Sequence, residues 1–489
     1  MISPKPKRPD LQPQPIAIQQ RFLPDEPLLQ VTPEDPITYR HLFEGTIITG
    51  GSGSGKTTGP GAALSEALLR RAGILVLCAK PGEAEMWVNR ATIAGRAADV
   101  RRFSVDQPYR LNLLDYAFRQ PGADRGGSDP QNVVALLLQL QETKTGQGSA
   151  GGGDAAFWIS SSRQVKTSAV SILGVAGEPI TFDAMNAVID SAPYSPEDVT
   201  SPKWQSSSYF NSLLDRVAAR EPKLTAIQRN DARVAMEFFV NRFARLDPRT
   251  RSGILAQIQS IIWPFLCGPA AEVCGTTTNL TPEDIFRGRI VILDLPIKLY
   301  HESGLLILTC WKLLFQRAAE ARDLSRYPLP VCLWADEAQH FITSYDSVFQ
   351  ATARSSRIAT VYLTQNLDSL RARFPGPSGD AEVQSLISNL ANRILCANDH
   401  TATNKYASDA IGHEWRTQMN SSASITNAGS MTAGGGTSDS RRYRLEPSEF
   451  LKLRRGGPPD GVVDAIMFRS GTPFKATNTN YLRLTFRQG

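Results

Sequence analysis

The spacing of apolar positions changes character several times along the chain. Residues 43–49 (FEGTIIT) form a short β-favouring run that leads into a glycine-rich turn. Residues 61–71 (GAALSEALLRR) then place Leu64, Ala67 and Leu68 at helical spacing. Next come an apolar strand ending in a turn (73–83, GILVLCAKPGE), a helical stretch (85–97, EMWVNRATIAGRA) and a third strand (99–105, DVRRFSV). Strands alternating with helices in this way predict a parallel, doubly wound α/β sheet.

The period then becomes helical and stays so from about 117 to 286. NVVALLLQLQET, FWISSSRQVKTSAVSILGVA, FDAMNAVID, YFNSLLDRVAAR, ARVAMEFFVNRFARL and GILAQIQSIIWPFL follow one another with no convincing strand between them. GQGSAGGGD (146–154) reads as a glycine-rich linker inside this block. The α/β pattern resumes at GRIVILDLP (288–296), followed by a long helix (301–324). PVCLWADEAQHF, IATVYLTQN and NRILCAND are each a strand candidate followed by a helix. Residues 420–440, low in complexity, are expected to be a mobile loop, and 460–486 an edge hairpin. The Pro-rich N-terminus is expected to be an extended tail. The resulting division is a tail (1–43), a first α/β part (44–116), an inserted all-α domain (117–286) and a second α/β part (287–489).

Chemistry enters at residues 46–61, TIITGGSGSGKTTGPG. Gly50, Gly55, Lys56 and Thr57 fit G-x-x-x-x-G-K-[ST], the P-loop. Its glycines let successive backbone N–H groups converge on one anion, at the start of a helix whose dipole favours negative charge. The expected nucleotide cradle is Gly50, Gly51, Ser52, Gly53, Ser54, Gly55, Lys56, Thr57 and Thr58. Lys56 would reach the β- and γ-phosphates and the Thr57 hydroxyl would sit on Mg²⁺, so ATP and Mg²⁺ are the expected cofactors. Hydrolysis also needs a carboxylate on the metal and a group that orients water. VCLWADE supplies candidates for both, Asp336 for Mg²⁺ and Glu337 as base, provided its strand neighbours the P-loop strand. Gln365, ending another strand, is placed to sense the γ-phosphate. Arg354, Arg357 and Arg393 flank that element. Arg354 and Arg393 are the preferred candidates for an arginine finger acting across a subunit interface.

Composition narrows the picture further. The chain has 489 residues, 41% of them hydrophobic, and a formal net charge of +6, which permits a polyanionic partner without demanding one. Basic segments at 242–251, 441–444 and 452–455 could track a phosphate backbone. Six cysteines without a C-x-x-C pair read as reduced, buried thiols, and five histidines show no metal-ligand spacing. No run reaches the roughly 18–20 apolar residues that span a bilayer. Residues 304–315 come nearest, but contain Lys312 and read as a core helix. The N-terminus has no apolar signal core, so a soluble, cytoplasmic protein is expected.

In this order the motifs resemble those of the type IV coupling proteins, the TraG/TraD-type conjugative DNA-transfer ATPases. KPGE (80–83) is similar to that family's DPKGE turn, with Ala79 in place of Asp. RLNLLDY (110–116) is similar to its NPLD element, with Leu113 in place of Pro. FWISSSRQ, LWADE, TQN, HTATNKYASDAIG and RYRLEPSEFLKL follow in family order, and the resemblance spans roughly residues 44 to 486.

The resemblance implies a RecA-like P-loop motor carrying an all-α domain for substrate recognition, assembled as a homo-hexameric ring. Its implied work is ATP-driven recruitment and pumping of DNA, single-stranded or relaxase-linked, toward a secretion channel. Type IV secretion or relaxosome proteins would be its partners. Family members usually carry N-terminal transmembrane helices. A Pro-rich tail stands here instead, so attachment at the inner face of the membrane is expected only through partners. Competing expectations are an FtsK/HerA-type translocase, a secretion-assembly ATPase, and an ATP-dependent adaptor that selects protein effectors.

Overall fold

The computed structural model describes residues 22–120, 128–145, 154–375, 379–425 and 431–488. Its strands in chain order are β1 (Pro27–Gln30), β2 (Pro36–Thr38), β3 (Thr46–Thr49), β4 (Gly73–Leu77), β5 (Val100–Phe103), β6 (Ile290–Leu293) and β7 (Val331–Ala335). They continue with β8 (Ile358–Thr364), β9 (Asn392–Cys396), β10 (His413–Ile425), β11 (Met431–Tyr443), β12 (Val462–Arg469) and β13 (Tyr481–Arg487). Nine of them form one sheet in the order β13-β12-β9-β3-β8-β7-β4-β6-β5. From β9 to β5 every pairing is parallel, and β12 and β13 close one edge as an antiparallel hairpin.

β3, β4, β6, β7 and β8 are buried along their whole length, as their continuous apolar runs require of strands covered on both faces. The pleat divides them between two cores. Ile74, Val76, Ile292, Trp334 and Leu363 meet Leu64, Leu68 and Trp87 on one side, with Trp87 edge-on to Trp334 at 5.2 Å. Leu75, Leu77, Leu293, Leu333 and Ala335 meet Leu306, Trp311 and Phe315 on the other. The second core runs without a break into the helical insertion through Val133, Leu137, Val165 and Leu173. The insertion is therefore packed onto the sheet as a continuation of its core.

Between Leu113–Phe118 and Pro282–Phe286 every regular element among the described residues is helical. Side-chain caps at Thr181, Ser208, Thr225 and Asp247 accept orphan N–H groups and set where these helices start. Lys312, which interrupts an apolar run, is fully buried in helix Ile297–Glu320 and pairs with Asp346. Gln316 and Tyr362 also donate to Asp346, at 2.9 and 2.5 Å, as does the Thr343 N–H at 2.7 Å. Among the described residues no single helix is long and apolar enough to cross a membrane.

Three expectations need correction. Residues 22–43 are folded: β1, β2 and helix Tyr39–Phe43 put Phe22, Leu28, Ile37, Tyr39, Leu42 and Phe43 into the core. Asp35 ties this segment to the C-terminal hairpin by accepting from the backbones of Lys475 and Ala476 at 2.8 and 3.1 Å. The prolines there open strands, at Pro27 and Pro36, where a missing N–H costs no ladder bond. Residues 1–21 lie outside the described residues, as does the glycine-rich stretch 146–153.

The expected loop at 420–440 lies on a long antiparallel ribbon, β10–β11, with residues 426–430 outside the described set. Its Ser, Thr, Ala and Gly residues carry no hydrophobic alternation from which a strand could be read. Finally, β7 does not neighbour β3, because β8 runs between them.

Candidate nucleotide site

The P-loop leaves β3 pinned by its neighbours: Gly50 N–H donates to the Thr364 carbonyl at 3.3 Å and Gly51 N–H to the Ala397 carbonyl at 3.0 Å. Gly55 has φ +79°, and a Cβ there would lie 2.4 Å from Val463 and 2.7 Å from the Arg455 carbonyl. A Cβ on Gly50 would meet the Ser54 hydroxyl at 2.4 Å. Glycine is thus imposed both by backbone conformation and by the close approach of β12. Ser54 and Lys56 are buried, while Ser52 and Gly53 are exposed at the tip.

The chain then makes a hydrogen-bonded turn (Gly59 N–H to Gly55 O, 2.7 Å) before helix Pro60–Leu69 begins. Pro60 has no N–H, and Gly61 bonds the Lys56 carbonyl instead, at 2.9 Å. The Thr58 hydroxyl accepts from Gln488 at 2.5 Å, which links the loop to the end of the chain.

Although β8 separates their strands, Thr57 and Asp336 meet. The Thr57 hydroxyl donates to Asp336 Oδ2 at 2.7 Å, and Asp336 Oδ1 accepts from the Glu337 N–H at 2.9 Å. One hydroxyl and one carboxylate are a donor set suited to Mg²⁺, a hard cation that takes few protein ligands and completes its shell with phosphate and water. Among the described residues no cluster of three or more His, Cys, Asp or Glu could hold another metal.

Glu337 is buried in a left-handed conformation (φ 52°, ψ 47°). Its carboxylate is ion-paired with Lys80 and accepts from Gln339 Nε2 at 2.7 Å; Gln365 Nε2 lies 3.5 Å from each oxygen. Burial pushes this carboxyl up, but the hydrogen bonds from Lys80 and Gln339 and the charges of Lys56 and Lys80 outweigh it. The result is a pKa of about 2. Gln339 is oriented by the Thr364 hydroxyl at 2.9 Å, and the Gln365 carbonyl by Asn398 at 3.0 Å.

Glu83 closes the back of the site, accepting from the N–H groups of Ala79 (2.7 Å) and Lys80 (3.2 Å). Burial and the nearby Asp336 charge raise its pKa to about 7. Reading the residues alone left out Lys80, Gln339, Glu83 and Asn398. The KPGE turn was a visible signal for the first and third, whereas the other two become evident only from strand order.

The arginines are distributed differently. Arg354 is exposed, 3.3 Å from Glu44. Glu44 precedes β3 and Arg354 precedes β8, so the pair marks the end of these strands opposite the P-loop. Arg357 has φ +53° and its guanidinium lies 5.9 Å from the Phe22 ring. Arg393 corrects an expectation: it is buried on β9, stacked between Phe468 (5.1 Å) and Tyr406 (5.8 Å) and bonded to the Ile387 carbonyl. Held in the chain's own core, it has no path to a neighbouring subunit's phosphate.

A parallel sheet with a P-loop after β3, acids after β7 and a polar strand end on the intervening β8 defines a RecA-like P-loop NTPase. Residues 330–455 match the family described as "TraM recognition site of TraD and TraG". The bacterial conjugative coupling protein TrwBdeltaN70, in an unbound form, is similar with a TM-score of 0.61 at 13% identity, over 93% of this chain and 87% of that one. The plasmid coupling protein TrwB in complex with ADP and Mg²⁺ gives 0.59 at 11%, over 93% and 88%. TrwB with the GTP analogue GDPNP gives 0.58 at 12%, over 93% and 87%. Comparison with curated proteins returns no match. The chain thus shares the fold of the coupling protein TrwB, and its residues 330–455 carry the match to the TraD and TraG family.

Proposed function

We propose that this chain is an ATP-hydrolysing motor that recruits DNA, or a relaxase–DNA complex, and drives it toward a type IV secretion or conjugation channel. The observation that carries the reading is the Thr57–Asp336 contact beside Glu337, in a chain with the coupling-protein fold. Lys56 binds the β- and γ-phosphate oxygens. Thr57 and Asp336 hold Mg²⁺, which supplies neutralisation of the developing phosphate charge. Glu337 orients the attacking water, and Gln365, in contact with both Glu337 oxygens, reports the γ-phosphate to β8 and to Asn398.

In a homo-hexameric ring, with each site at a subunit interface, exposed Arg354 is the one of the two arginine-finger candidates left available to a neighbour. Relaxosome and secretion proteins are the proposed partners, and the proposed location is the cytoplasm, peripherally at the inner face of the membrane through those partners. ATP turnover measured with and without single- and double-stranded DNA tests the reading. The expected outcome is turnover that requires Mg²⁺ and rises several-fold with DNA. A rate indifferent to DNA would favour an assembly ATPase or an adaptor.

A further inference from the structure

We propose that Lys80 is the group that distinguishes a nucleoside triphosphate from a diphosphate, exchanging its contact with Glu337 for the terminal phosphate. The proposal rests on the nucleotide-site reading above. β4 pairs with β7 so that Leu77 lies beside Ala335, which brings the turn after β4 next to Asp336 and Glu337. In that turn Glu83 holds the N–H groups of residues 79 and 80, while Pro81 and Gly82 (φ +86°) set its shape. The backbone is therefore fixed and the Lys80 side chain is the part able to move.

The two partners of the ion pair differ in freedom. The Lys80 side chain is 40% exposed, whereas that of Glu337 is 4% exposed and is also held by Gln339. When Lys80 leaves, Glu337 keeps its place. Lys56 is near enough for its charge to act on Glu337, so two ammonium groups lie around one carboxylate at the end of the P-loop. A terminal phosphate bound by Lys56 brings negative charge toward Glu337, and two anions in a partly desolvated site repel strongly unless a cation stands between them. Lys80 is the cation free to do so. A diphosphate stops one phosphate short and leaves the Lys80–Glu337 pair intact. While the pair holds, it also covers one of the two carboxylate oxygens of Glu337.

The test uses the full chain, Mg²⁺, and two probes, ADP and the non-hydrolysable analogue ADPNP, with dissociation constants read by calorimetry. Lys80→Met should weaken ADPNP about tenfold, the scale of one charge-assisted hydrogen bond, and leave ADP within twofold; Lys80→Arg should restore the preference. Because Lys80→Met leaves a buried carboxylate without its cation, Glu337→Gln and the double variant K80M/E337Q provide a second comparison. The single variant should keep the triphosphate preference and the double variant should lose it. Equal weakening of both nucleotides, or an unchanged ADPNP-to-ADP ratio in both series, would overturn the assignment while leaving the nucleotide site standing. Wild-type protein that binds neither probe would overturn the nucleotide-site reading itself.

Discussion

Thr57 and Asp336 stand 279 positions apart in sequence and 2.7 Å apart in space, and the site's chemistry turns on side chains of this kind. Lys56→Ala removes a phosphate contact and little core volume, so it should abolish hydrolysis while the thermal transition stays close to that of wild type. Undiminished turnover would remove Lys56 from the mechanism. Glu337→Gln retains the shape of the side chain but not its ability to polarise water. It should bind ATP and turn over at least about a hundredfold more slowly, in line with the loss of a positioned base.

Lys166 offers a test of pH. It is fully buried, its ammonium has no hydrogen-bond partner among the described residues, and burial, with help from Arg163, lowers its pKa from 10.5 to about 8. The unfolded chain holds that proton up to its ordinary pKa, while the folded chain releases it earlier. The stability cost is therefore full below about pH 8 and disappears as pH rises toward 10.5. Lys166→Met should raise neutral-pH stability by up to about 3 kcal/mol, the equivalent of that shift. The gain should shrink between pH 8 and 10 in denaturant titrations.

At the scale of elements, the interfaces between strands and loops leave little room. A methyl group on Gly55 would push into Val463 and the Arg455 carbonyl, and φ +79° is strained for any L-residue. Gly55→Ala should therefore weaken nucleotide binding by an order of magnitude or more, measured by calorimetry, through displacement of the loop from β12. The buried Lys312–Asp346 pair joins helix Ile297–Glu320 to the segment that follows Glu337. Lys312→Met would leave Asp346 charged and buried, with a cost of about 3–5 kcal/mol in denaturant unfolding. Full stability in that variant would mean that the ion pair contributes nothing to holding the two elements together.

The helical run from 117 to 286 was legible because its period is local, and the apolar strands because burial on both faces leaves an unbroken run. The ribbon β10–β11 was not legible. Cross-strand backbone pairing makes it, and its small polar residues leave no periodic trace. The folded segment 22–43 was hidden by prolines that sit at strand starts.

Across the whole molecule, the insertion and the sheet share one apolar core, and polar contacts cross the same boundary. Glu142, on helix Pro130–Thr145, accepts from the Ser344 N–H and hydroxyl at 2.8 Å each, seven residues beyond Glu337. Under the proposed function, substrate engaged by the insertion would have a short covalent and hydrogen-bonded route to the strand end that carries Glu337. Glu142→Gln should leave basal turnover near the wild-type rate and reduce its stimulation by DNA, read as the ratio of the two rates. An unchanged ratio would exclude this route.

The P-loop, the acidic pair and Gln365 could be named from the chain alone, because phosphate and Mg²⁺ chemistry demands fixed residue types at fixed local spacings. Their cooperation could not. Strand order placed β8, and with it Gln365, between the P-loop and the acids. The same order brought Lys80 onto Glu337 and turned Arg393 inward. Local sequence determines which elements form, since hydrogen bonding and periodicity act over a few residues. Which side chains meet is decided by how the sheet is assembled, because strand order is set by the packing of both cores at once.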